Sequence, residues 1–237
     1  MRWNSEQTHV AAAGSPGRVP HHPLRTLPFF YAKVLAWPSP TTFARAAEYA
    51  RWNLVWLQLG ILILIPVVLG LIKSLVRDTS SGIDSRANPI FSLLGTITVG
   101  ATIGAFILKI ILIPLLFLLE SGLQYLLARA FRGNGHFVQH AFDMLLYLVP
   151  LSFIGGLIIT VFVYFHISTL FFAPLISLVV FCYGVFLNIF VVQGVHNLNR
   201  DKAIATVAIP YILGLLIVCG SLLSLAHYLS TTISNLH

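Results

Sequence analysis

Formal charge is scarce in this chain: 9% of its 237 residues are Asp, Glu, Lys or Arg, where an ordinary soluble domain carries about 25%. Residues 144–199 and 203–237 carry none at all. With 57% of the residues apolar, there is too little polar surface to cover a water-exposed domain, and a soluble globular protein is excluded. Cysteine is nearly missing too. Cys182 and Cys219 each lie inside an apolar stretch, which excludes a disulfide framework or a cysteine metal knuckle. There is no phosphate loop, dinucleotide fingerprint or Ser, His and Asp set in a hydrolase context, so a non-enzymatic protein with no cofactor is expected. The fourteen Lys and Arg against seven Asp and Glu give +7, but these charges are too thinly spread for a nucleic-acid face.

What the chain has in abundance is long apolar runs. A helix needs about 20 such residues to cross the hydrocarbon core, and residues 53–72, between Arg51 and Lys73, supply the first span. The next tract, residues 89–127, is broken only by Lys109 and Glu120 and would reach roughly 58 Å as a helix. A hairpin at Lys109 is not expected, because its surroundings FILKIILI contain no Gly, Pro, Asn or Asp to turn on. The spacing predicts one crossing over 101–127, with 89–100 lying on or dipping into the outer interface. Gly133, Asn134 and Gly135 then form a turn. Span three is 144–165, span four 170–192 after a minimal link, and span five 203–227. The fold class is all-α: a polytopic membrane helical bundle with five transmembrane helices.

Residues 1–26, rich in Gly and Pro, read as a disordered tail with no apolar core of a secretory signal. Residues 27–52 mix Phe29, Phe30, Tyr31 and Trp37 with Lys33, Arg45 and Arg51. That mixture suits the headgroup layer, with a helix start at Pro40 and the Thr41–Thr42 pair. The five-span domain covers 53–228, and 229–237 is a short tail.

Five crossings put the termini on opposite sides. One side receives Arg2, Arg18, Arg25, Lys33, Arg45, Arg51, Arg129, Arg132, Arg200 and Lys202; the other receives Lys73, Arg77 and Arg86. Ten against three places the N-terminus in the cytoplasm. The partners expected are the lipid bilayer, anionic headgroups at the cytoplasmic face, and a protein partner or a second copy.

Each span holds one proline, Pro66, Pro114, Pro150, Pro174 and Pro210, read as static kinks or as hinges around a moving site. Small residues recur at helical spacing as Thr96, Gly100 and Gly104, and again as Ser152 and Gly156, which permits close helix approach within the chain or between copies. Lys109 and Glu120 fall within roughly 20° of one helix face, and Asp143 lies at a depth similar to Glu120, with Arg129, Arg132 and His140 as available partners. Ionisable groups at membrane depth are candidates for an ion or proton relay, or simply snorkel to the interface. His136, His140 and Asp143 have ligand spacing on one face, but nothing nearby in sequence completes a metal site.

The segment Trp37-Pro38-Ser39-Pro40-Thr41-Thr42-Phe43, the loop LLARAFRGNGHF at 126–137 followed by Tyr147-Leu148-Val149-Pro150, and the stretch 183–203 ending GVHNLNRDKA resemble the Ypt-interacting-protein (YIP) domain family, in layout over about residues 34–228. The resemblance implies a five-span membrane protein with a cytoplasmic N-terminus, acting as an adaptor in membrane trafficking or in membrane shaping. Eukaryotic relatives sit in Golgi and endoplasmic reticulum membranes and bind prenylated Rab-type GTPases. The chain lacks the Asp-Leu-Tyr-Gly-Pro motif of that branch, which points to a bacterial-type member in the cytoplasmic membrane. The positions carried over by the resemblance are Gly133, Gly135, Pro150, Tyr183, His196 and Ala203.

Overall fold

A computed structural model describes residues 23–80, 89–165, 167 and 169–234. Among the described residues all regular structure is helical: α1 (Pro23–Ala36), α2 (Pro40–Ala47), α3 (Trp52–Ser80), α4 (Pro89–Ala130), α5 (Phe137–Tyr164), α6 (Thr169–His196) and α7 (Arg200–Ser234). The last five are long and apolar enough to cross a bilayer, as the hydropathy pattern predicts. Each carries its expected proline inside the helix.

The N-terminal portion differs from the sequence reading. Residues 1–22 of the expected tail lie outside the described residues, while 23–26 belong to α1. Leu27 and Val34, seven apart and so on one face, are buried and tie α1 to the bundle. The cap of α2 is Ser39 instead of the Thr pair: its backbone is extended, and its Oγ accepts from the Thr42 N–H at 3.1 Å. Pro40 occupies the first helical position, where its missing N–H costs nothing.

The tract 89–130 is one 42-residue helix with no turn at Lys109, as the missing turn residues require. At 1.5 Å per residue it is about 63 Å long, twice a hydrocarbon core. The side chains of Thr96 and Gly100 in the first small-residue row lie outside those described. Span three begins seven residues before the expected Met144, because Phe137 already packs against Trp52 and Tyr125. At the other end, α7 continues through 229–234, where a tail was expected, since nothing there breaks the helix.

The core centres on α5. Every residue from His140 to Tyr147 is buried, which occurs in a helix surrounded on all sides. Its principal neighbours are α3 and α6, with α1, α2 and α4 also in contact. From α3 a stripe of Leu54, Val55, Gln58 and Leu59 faces inward. Close crossings need small residues. A Cβ on Gly155 would lie 3.3 Å from Val180 of α6, and one on Gly156 would lie 2.5 Å from Leu69 of α3, so the Ser152–Gly156 row serves packing within the chain.

Candidate functional site

The ends of all five spans and the two short helices converge at the end of the bundle where α3, α5 and α7 begin and α4 and α6 finish. The chain reaches this end from α4 through a Schellman turn. The N–H of Gly133 donates to the carbonyl of Ala128 at 2.8 Å, and that of Arg132 to Arg129 at 3.0 Å. The left-handed residue of this turn is Arg132, with φ 68°, where a glycine is usual. Gly133 is needed next to it for space, because a Cβ there would meet the Cβ of His196 at 2.8 Å and the carbonyl of Ala128 at 2.9 Å. Gly135 is equally confined: a Cβ would come within 2.6 Å of the Val195 carbonyl and 2.9 Å of His196 Nδ1.

Loop and helix end are therefore interlocked. Asn134 donates its N–H to the His196 carbonyl at 3.3 Å, and Asn197 donates from Nδ2 to Asn134 Oδ1 at 3.1 Å. Asn197 takes the left-handed conformation at the end of α6, with φ 52°, and Asn199 caps α7 by accepting from the Lys202 N–H. Beneath the loop the His196 ring lies 5.2 Å from His140 and 5.8 Å from Tyr125, and both histidines are buried. Arg129 lies over Tyr125 at 6.0 Å and donates to the Gly133 carbonyl.

The two short helices close this end from the side. A Cβ on Gly194 would collide with the Pro40 carbonyl and reach Ala44 N at 3.1 Å, so α2 crosses α6 backbone to backbone at that glycine. Tyr183 of α6 donates its hydroxyl to the Leu35 carbonyl of α1 at 2.6 Å. Tyr31 of α1 packs over α3 and α5 near Pro150, and burial pushes its phenol from 10.0 up to about 12. Ala203, fully buried, packs with Val192 and Val207.

Inward of the loop lies a polar layer that periodicity did not single out. Gln58, Gln124, Asp143 and Thr206 each lie six residues from the end of their helix, and Asn188 eight, about 9 to 12 Å deep. All five are fully buried, one from each span. Thr206 donates to the Lys202 carbonyl. Gln58 and Asp143 have no side-chain hydrogen-bond partner among the described residues, and Asn188 lies against the Tyr211 hydroxyl. Long runs of Leu, Ile and Val around these residues mask them in a hydropathy profile; the signal available was a polar side chain six to eight residues from an end of each span.

One level deeper, Tyr211 of α7 donates to Glu120 Oε1 at 2.8 Å, and Gln124 Nε2 donates to the same oxygen at 3.3 Å. Glu120 thus pairs with a phenol and an amide in place of the expected Arg129, Arg132 or His140. Lys109 faces a different groove, between α3, α4 and α5, and no hydrogen bond or ion pair joins it to Glu120 or Asp143. His136, the N-cap of α5, is exposed, whereas His140 and Asp143 are buried, so the three do not share one site. Among the described residues no three His, Cys, Asp or Glu side chains converge to hold a metal.

Gly133, Gly135, His196 and Tyr183, all singled out in the sequence, are thus contacts that lock this end together. The Yip1 domain matches residues 33–222. The chain belongs to the Yip1 domain family. No curated protein and no solved structure matches it. The match begins in the last four residues of α1 and ends in α7, taking in α2 and the five spans.

Proposed function

We propose that this is a non-enzymatic membrane organiser or adaptor, working through the locked end of the bundle. The observation that carries the reading is the gathering of Arg45, Arg51, Arg129, Arg132, Arg200 and Lys202 on that end. All are exposed, and among the described residues none is held by an ion pair with Asp or Glu. The exposed Phe29, Trp37, Trp52 and Trp56 stand beside them, the mixture of aromatic and basic side chains that suits a headgroup layer. By the positive-inside bias this end is cytoplasmic, and it meets anionic headgroups or a protein partner. Family membership supports a role in membrane trafficking or membrane shaping. The missing Asp-Leu-Tyr-Gly-Pro motif supports a bacterial-type member in the cytoplasmic membrane.

Crosslinking in native membranes, followed by identification of what co-purifies, tests this reading. A protein partner recovered with the wild type and lost from Arg129→Glu with Arg132→Glu supports an adaptor. Recovery of lipid and self alone overturns the adaptor and leaves a lipid-shaping homo-oligomer.

A second reading, a small transporter or channel using Lys109, Glu120 and Asp143, draws support from the buried polar layer, since such groups at membrane depth commonly mark a pathway. It requires ion or solute flux in liposomes that Asp143→Asn abolishes.

A further inference from the structure

At the opposite end of the bundle, a groove of about 560 Å³ opens between α3, α4 and α5. It is bordered by Leu62, Pro66 and Gly70 on α3, by Lys109 on α4, and by Ser152 and Gly156 on α5. Gly70, where a Cβ would meet no atom within 4 Å, leaves the groove open on the α3 side. Pro66 cannot donate to the carbonyl of Leu62, four residues earlier, so that acceptor lacks its helical partner. Leu62 to Gly70 and Ser152 to Gly156 set the groove along the helix axes, about 12 Å of α3 at 1.5 Å per residue.

Lys109 fixes what can bind there. About 31 Å of α4 separates it from Ala130, the thickness of a hydrocarbon core, so its ammonium lies at the headgroup boundary opposite the basic end. Gly70 lies two residues from the end of the apolar span Trp52–Ile72, at the same boundary. Among the described residues no carboxylate neutralises Lys109. A cation with no carboxylate partner among the described residues, a serine hydroxyl on the wall of the same groove and an otherwise apolar lining running toward the midplane match a ligand with one anionic head and a hydrocarbon chain.

We infer that the α3–α4–α5 groove binds one anionic phospholipid, its phosphate on the Lys109 ammonium and the Ser152 hydroxyl, and an acyl chain along Leu62 and Pro66. The attraction is a charge-assisted contact in surroundings drier than water. A zwitterionic lipid is disfavoured because its own cation competes with Lys109. The site is separate from the basic end and does not depend on the function proposed for it.

Native mass spectrometry of the full chain in detergent, with equal amounts of phosphatidylglycerol and phosphatidylcholine, reads the occupancy. The wild type should keep one phosphatidylglycerol preferentially. Lys109→Gln should lower that preference about tenfold, the worth of one charge-assisted contact, and Lys109→Arg should retain it. Gly70→Phe fills the groove from a position where a Cβ meets no atom within 4 Å, and it should expel the lipid without unfolding the helix. Arg129→Glu with Arg132→Glu strips lipid from the basic end and should leave the Lys109-dependent adduct in place. Equal retention of both lipids, wild-type retention by Lys109→Gln or by Gly70→Phe, or displacement of the lipid by millimolar inorganic phosphate would each overturn the assignment, the last by showing a site for a free anion.

Discussion

The hydroxyl of Tyr183, deep in the chain, donates to the main-chain oxygen of Leu35 at 2.6 Å, so the first helix is fastened to the fourth span by one bond across 148 residues. A side chain reaching a backbone acceptor holds a helix in place whatever that helix's own sequence is. Tyr183→Phe should therefore free α1 while leaving the bundle folded, at a cost of about 1 kcal/mol. Hydrogen exchange should quicken in residues 23–36 and remain unchanged in α5; unchanged exchange in α1 would show that Leu27 and Val34 suffice.

Gly194 is where α2 and α6 touch backbone to backbone. Gly194→Ala should push the helices apart and destabilise the protein by about 1–3 kcal/mol. Gly214→Ala, at a site with nothing within 4 Å, should be neutral or mildly stabilising through helix propensity. Thermal unfolding of both variants in the same detergent makes the comparison.

The pairing of Glu120 with Tyr211 joins α4 to α7. Removing the phenol leaves the half-buried carboxyl with Gln124 alone, so Tyr211→Phe should cost about 0.5–1.5 kcal/mol. Glu120→Gln keeps an acceptor oxygen and should cost less. A double-mutant cycle in detergent should give a coupling of about 0.5–2 kcal/mol, and a value near zero would mean that the bond contributes nothing to stability.

Asp143 sits fully buried in the polar layer. Asp143→Asn preserves its size and polarity and should retain the fold. Asp143→Leu removes a buried carboxyl that has no hydrogen-bond partner among the described residues, so it should leave the unfolding temperature unchanged or raise it. A leucine variant that melts well below the asparagine variant would instead show that the layer acts as a cooperative polar network.

How much of this was legible in the sequence divides by the range of the forces involved. Five spans, their prolines and the continuous helix through Lys109 all followed from local composition. The cost of placing residues in hydrocarbon is summed along a window of about 20, and a turn needs turn residues at the spot. The boundaries were less accurate where a neighbour decided them: α5 begins at Phe137 because Trp52 and Tyr125 receive its ring, and neither is adjacent in sequence.

The chain alone therefore determined that this is a five-span helical membrane protein with a cluster of basic residues near the span ends. Only the tertiary structure decided why Gly133, Gly135 and Gly194 must be glycine, which partner Glu120 takes, that five separate polar residues share one buried depth, and that Lys109 faces a groove of its own. Each of these depends on how neighbouring helices are rotated and shifted against one another. That arrangement is fixed by side-chain fit between segments far apart in sequence, which no local window contains.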